Sequence, residues 1–235
     1  MAGPPSSWII GIPQRPWSTA PVEGCPFGPL VSAVCPEPTP SEVVDALGAE
    51  ERAYVATLAS PQRRNEWMGG RLCLGRALSA LAVAWPPLLP TATGAPTVPA
   101  GFAASLSHKG PLAVALAAKT AGGVGVDVDC ASPRDLGLAR KVLTRSERAR
   151  VGDRDDQSAA RFILAHFSVK EAVYKALLPE DQEDLEFDDI DVVVERLEEQ
   201  VWVMLDTNLL NRATAVQAAL LIDGDWVVAA AIRGP

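Results

Sequence analysis

Two short segments carry the side chains best suited to chemistry: GVGVDVD at 123–129 and FSVKEAVYK at 167–175. Strand alternation puts Val124, Val126 and Val128 on one face and Gly125, Asp127 and Asp129 on the other, so two carboxylates share a side. Helical spacing stacks Glu171 on Lys175, one turn apart, while Lys170 projects about 100° away from Glu171. These residues form a donor set for one Mg2+ and one polyphosphate. Mg2+ takes hard oxygen ligands, keeps several waters and is commonly held by one or two carboxylates plus substrate phosphates. Asp127 and Glu171 are the expected closest ligands, with Asp129 acting directly or through water. Each part has an ordinary alternative: Asp-x-Asp at a strand end as a turn or cap, and Glu171–Lys175 as an i,i+4 pair worth about 0.3 kcal/mol. His108, ending SLSH at 105–108, suits hydrogen bonding to a phosphate, although a lone histidine is also a common core or surface residue.

The elements that must position these residues follow from pattern and punctuation. Residues 1–40 are rich in Pro and Gly and read as an irregular wrapping segment with one strand at 30–35. Ser41 and Glu42 open a helical region, and a long helix is expected from Ser60 to Trp85, before the prolines at 86–90. Apolar strands follow at 102–107 and 112–118, with GVGVDVD as a third. A basic helix is expected near 135–150, a long helix at 158–178, and strands near 187–194, 200–205, 215–222 and 226–232. GRLCLGRAL (70–78) lies without gaps over VKEAVYKAL (169–177), pairing Arg71 with Lys170 and Arg76 with Lys175. That overlay, with the same helix-then-strands order twice, predicts an α+β chain of two pseudo-symmetric halves that change over near residues 121–123.

At 235 residues and 48% hydrophobic, the chain can bury a sizeable core. Its net charge of −8 is uneven: residues 180–199 hold eleven carboxylates and one arginine, so the rest of the chain is slightly positive. The four cysteines lack metal-ligand spacing and read as reduced thiols, with a Cys25–Cys35 disulfide as the alternative. No leader pattern and no apolar run of membrane-spanning length is present, which predicts a cytoplasmic protein without a membrane partner, and the net negative charge predicts that it avoids nucleic acid.

The order RRNEWMGGRLCLGRAL, GAPTVPAGFAASLSH, GVGVDVD and FSVKEAVYKAL, over about residues 50–178, resembles the 4'-phosphopantetheinyl transferases, specifically the longer Sfp-type, EntD-like group. The resemblance implies the duplicated fold of that superfamily with the active site at the interface of the halves. Residues 1–122 would be the CoA phosphate-binding half with its Pro-rich wrap, and 123–235 the metal-binding and carrier-docking half. The implied reaction is Mg2+-dependent transfer, with Mn2+ as the alternative ion, of the 4'-phosphopantetheine arm of coenzyme A to a serine of an apo acyl, peptidyl or aryl carrier protein. Adenosine 3',5'-bisphosphate is released. Carried over by position, Asp127, Asp129 and Glu171 match the metal ligands, and Glu171 also matches the base. Lys170 and Lys175 match the lysines that neutralise phosphate charge, and Arg63, Arg71 and His108 match positions that hold the CoA phosphates. The chain departs from the family at Thr93, where a lysine is frequent, at Val98 and Phe167, where tryptophan is frequent, and at Asp129, often glutamate.

A monomer is expected, docking its carrier on Arg140, Lys141, Arg145 and Arg148, with Leu136, Leu138, Val142 and Leu143 as an apolar centre and the acidic run facing elsewhere. Two alternatives use the same carboxylates: a metal-dependent phosphohydrolase acting on CoA-type pyrophosphates, and a non-catalytic CoA-binding protein.

Overall fold

The structure, a computed structural model, describes residues 15–84, 87, 89–91, 94–194, 202–209 and 214–234. The Pro-rich segment 1–14, Thr93 and the end of the acidic run at 195–199 lie outside them. The chain divides into two compact units that change over between Ala121 and Gly122.

In the first unit, strands β1 (Thr19–Pro21) and β2 (Leu30–Val34) are followed by helices α1 (Ser41–Asp45), α2 (Ala49–Thr57) and α3 (Pro61–Ala80), then strands β3 (Ala103–Lys109) and β4 (Leu112–Ala118). The antiparallel sheet has the order β1-β2-β4-β3. β4 is buried along its whole length, as the all-apolar LAVALAA requires of a strand between two neighbours. Met68, Cys73, Leu74, Ala77 and Leu78 of α3 pack on Val31, Ala33, Ala113, Ala115 and Ala117. Ser60 caps α3 by accepting from the Arg63 amide at 3.2 Å, and Pro61 sits where no amide donor is needed. The helix stops at Ala80 rather than running to Trp85. Ala82 turns left-handed (φ +59°), and the amides of Val83 and Ala82 close on the carbonyls of Leu78 and Ser79 at 3.1 and 3.0 Å. That is a Schellman stop built without glycine.

In the second unit, β5 (Val124–Cys130) leads through a 3-10 turn (Pro133–Leu138) to α4 (Ala139–Val142), α5 (Arg145–Val151) and the long α6 (Asp156–Ala176). The short α7 (Pro179–Gln182) and a 3-10 turn (Phe187–Asp189) precede β6 (Ile190–Val193), β7 (Val203–Leu209), β8 (Val216–Asp223) and β9 (Trp226–Arg233). These strands form an antiparallel sheet ordered β5-β9-β8-β7-β6. α6 buries Leu164, Ala165, Val169, Ala172, Val173 and Ala176 against Ala218, Leu220, Ile222, Val227, Ala229 and Ala231. The fold is therefore α+β, and a topological unit recurs: a strand, a long helix and a final antiparallel hairpin whose last strand pairs with the first. It is built from β2, α3, β3 and β4 in one unit and from β5, α6, β8 and β9 in the other.

The contact between β5 and α6 is unusually close. A Cβ added to Gly125 would lie 1.8 Å from the Ala172 carbonyl oxygen, and one on Gly123 would lie 2.1 Å from that of Ala176. Both obstacles are backbone, so neither can swing aside. Gly125→Ala is expected to cost at least about 2 kcal/mol, read as a fall in Tm by circular dichroism; an unchanged Tm would contradict this packing.

Candidate functional site

Gly125 brings the strand against α6, and two residues further on Asp127 meets that helix with only 6% of its surface exposed. Lys175 Nζ donates to Asp127 Oδ1 at 2.8 Å and to the Val126 carbonyl at 3.2 Å, and stands 3.8 Å from Glu171 Oε2. Strand alternation and the i,i+4 step therefore gather Asp127, Glu171 and Lys175 at one place. Burial pushes the Glu171 carboxyl above the usual carboxylate range; Lys175 opposes that shift and Asp127 adds to it. Two hard oxygen donors converging on one cationic group fit a divalent ion of the Mg2+ type, which one or two carboxylates hold while water and substrate complete the shell. Asp129 Oδ1 accepts from the amide of Cys130 at 2.7 Å. Among the described residues no three of His, Cys, Asp and Glu form a ready metal-ligand set, and the two carboxylates gathered at Lys175 are Asp127 and Glu171.

Lys170, expected beside the phosphates, is turned the other way. It is fully buried, and its ammonium donates to Glu147 Oε2 at 2.7 Å, the Val142 carbonyl at 2.7 Å and the Phe187 carbonyl at 2.9 Å. Burial lowers its pKa, with Glu147 acting in the opposite sense. All three ammonium donors are used, which leaves none for a ligand. Glu147 is also fully buried and takes the Thr144 amide at 2.7 Å and the Val192 amide at 2.8 Å. Thr144 and Glu147 form the capping box of α5. That T-x-x-E pattern is why the expected continuous basic helix is broken, with Leu143 extended between α4 and α5.

In the first unit, Glu66 Oε2 bridges Arg63 Nη1 at 3.2 Å and His108 Nε2 at 3.4 Å. Arg63 is exposed and His108 partly so. Glu66 was not a candidate, although its i+3 offset from Arg63 marks it as that residue's neighbour on one helix face. Arg71 does not join them. Its guanidinium pairs with Glu51, and both residues are buried. Glu51 also caps α2 by accepting from the Gly48 amide at 2.9 Å. The expectation that Arg71 grips a phosphate gives way to a role in fixing α2 on α3. The overlay of Arg71 on Lys170 nevertheless holds in a different sense: each is the buried cation of a long helix, paired with the first-turn glutamate of a shorter one.

The basic surface also differs from expectation. Arg140, Lys141, Arg145 and Arg148 are exposed, but Val142 and Leu143 are buried against Phe162 and Ile163, with Leu136 and Leu138 packed on them. The apolar centre is committed to the core. Nor does the acidic run face away throughout. Asp191 accepts from the Thr144 and Ser146 hydroxyls at 2.8 Å each, and with Asp188 it lines a groove shared with Arg145 and Arg148. All four cysteines are free, and burial pushes the Cys35 thiol up to about 12. His166 is a core residue in contact with the Phe162 carbonyl at 2.8 Å. None of the described helices is long and apolar enough to cross a membrane.

Comparison with known proteins assigns the class. Residues 50–118 match the 4'-phosphopantetheinyl transferase N-terminal domain, and residues 123–231 match the 4'-phosphopantetheinyl transferase superfamily. The chain belongs to the 4'-phosphopantetheinyl transferase superfamily. It is 35% identical over 162 residues, 66% of the chain, to the 4'-phosphopantetheinyl transferase Svp of Streptomyces mobaraensis. It is 30% identical over 148 residues, 62% of the chain, to the 4'-phosphopantetheinyl transferase PptT of Mycobacterium tuberculosis. Each match spans 64% of the relative's own length, just under two thirds. Among solved structures, the holo-(acyl-carrier-protein) synthase of Bacillus anthracis in complex with CoA (3',5'-ADP) overlaps 48% of this chain and 96% of its own. Its TM-score is 0.37 and its identity 18%.

The raised pKa of Glu171 has a measurable sign. A carboxyl whose pKa rises on folding binds its proton more tightly in the folded state, so it favours folding below the unfolded-state pKa, and that contribution is lost as pH rises through the folded one. In metal-free buffer at pH 8, Glu171→Gln should therefore unfold about 1–3 °C above the native chain. The gap should close as pH falls towards about 4. A native chain that is the more stable of the two at pH 8 would contradict the assignment.

Proposed function

We propose that this chain transfers the 4'-phosphopantetheine arm of coenzyme A to a serine hydroxyl of an apo acyl or peptidyl carrier protein in a Mg2+-dependent reaction. The observation that carries this reading is the grouping of Asp127, Glu171 and Lys175 inside the segment that matches the superfamily. The names of the relatives agree with it.

In this reading Asp127 and Glu171 would hold the ion, with Asp129 on the same strand as the third candidate. Bound Mg2+ would supply charge neutralisation on the pyrophosphate oxygens. Lys175, anchored on the Val126 carbonyl, places its ammonium where phosphate charge accumulates. The serine oxygen forms a bond to the β-phosphorus, the phosphorus–oxygen bond to the departing adenosine 3',5'-bisphosphate breaks, and the serine proton passes to Glu171. Arg63 and His108, aligned by Glu66, hold the CoA phosphates, where the planar guanidinium matches phosphate geometry. The exposed Arg140, Lys141, Arg145 and Arg148 meet the acidic surface of a carrier by charge alone, so docking should weaken with salt.

Incubation with Mg2+, CoA and a panel of apo carrier proteins should add one phosphopantetheine mass to the carrier serine, read by intact-protein mass spectrometry; no mass shift on any carrier would overturn the proposal. Asp127→Ala should abolish the shift. Glu171→Gln should lower kcat by about 10²–10⁴-fold, and Arg63→Ala should raise the KM for CoA about tenfold while leaving kcat within about threefold.

A further inference from the structure

Glu171 sits in a helical turn that is gripped on both sides. On one side is Lys170, immediately before it, with its ammonium held by Glu147 and by the carbonyls of Val142 and Phe187. On the other is Ala172, immediately after it, whose carbonyl lies against Gly125 of β5. Glu147 reaches further, taking the amides of Thr144 and Val192. One buried carboxylate thus ties α5, α6 and β6 together, and through Lys170 also the end of α4 and the 3-10 turn at Phe187.

We propose that Glu147 and Lys170 are positioning residues for the metal-binding carboxylates: their buried pair fixes the rotation of α6 at Glu171, so that Glu171 and Asp127 face one ion. This rests on the reading of Asp127 and Glu171 as metal ligands given above. Neither residue touches the reacting groups. Outer partners that orient metal ligands typically change affinity by 10- to 100-fold when removed, and this pair acts on Glu171 through the backbone of one turn.

The test uses the full chain and Mn2+ alone, titrated by electron paramagnetic resonance, with Asp127→Asn as the variant that loses binding. Lys170→Met, checked for a native circular dichroism spectrum, should bind Mn2+ about 10- to 100-fold more weakly. Its kcat should fall while the KM for CoA holds, and Lys170→Arg, which keeps the charge and the pairing, should recover most of the affinity. A folded Lys170→Met chain that binds Mn2+ within about twofold of the native one overturns the proposal.

If Lys170→Met does not fold, hydrogen exchange on the native chain decides. The Val192 amide, donor to Glu147, should exchange about tenfold more slowly at an Mn2+ concentration ten times the Kd, while the Ala115 amide in the other unit keeps its rate. No slowing at Val192 under saturating Mn2+ overturns the proposal. Mn2+ binding without phosphopantetheine transfer would remove the transferase reading and leave the positioning role standing. Transfer with undiminished Mn2+ affinity in folded Lys170→Met would do the reverse.

Discussion

The backbone of β5 can lie against the backbone of α6 only because no side chain separates them. Gly123 and Gly125 face Ala176 and Ala172, and at both positions the space a Cβ would fill is taken by a carbonyl oxygen. This sets the separation of strand and helix, and with it the reach of every side chain that crosses the gap. Lys175 reaches Asp127 at 2.8 Å because the gap is that small, and Glu171, one turn below, is drawn into the same polar spot. Larger residues at 123 or 125 would move α6 outwards and separate the carboxylates before any of them was altered.

A second constraint works along the helix. A lysine ammonium without exposure is costly to desolvate, and removing one partner of such a pair typically costs about 3–5 kcal/mol. Glu147 and the carbonyls of Val142 and Phe187 offset that cost, which locks the neighbouring segments around one point. Arg71 and Glu51 do the same in the first unit. In both, the glutamate belongs to the first turn of a short helix that precedes the long one, so its carboxylate satisfies a helix-end amide and a buried cation together.

Much of the frame was legible in the sequence because period and punctuation follow local physics. β4 spans the expected 112–118, and Gly125, Val126 and Asp127 lie on the expected strand β5. The grouping of Asp127, Glu171 and Lys175 was legible for the same reason, since each relation is local except the contact of β5 with α6. What escaped was burial. Lys170 and Arg71 look like surface cations until their partners are known, and those partners, Glu147 and Glu51, are 23 and 20 residues away. The T-x-x-E box at Thr144 was present in the sequence and outweighed the basic periodicity that suggested one continuous helix. Val142 and Leu143 were likewise drawn into the core by Phe162 and Ile163, a choice that the helix pattern alone cannot express.

The strand–helix–hairpin unit occurs twice along this chain. Where α6 carries Glu171 after its buried lysine, α3 carries Leu72 after its buried arginine. One copy has therefore kept the scaffold while holding an apolar residue at the place where the other bears a carboxylate. Because both copies lie in one chain, a substitution in one leaves its counterpart in the other unchanged. The carboxylate at 171 and the apolar residue at 72 can therefore serve different tasks on the same scaffold.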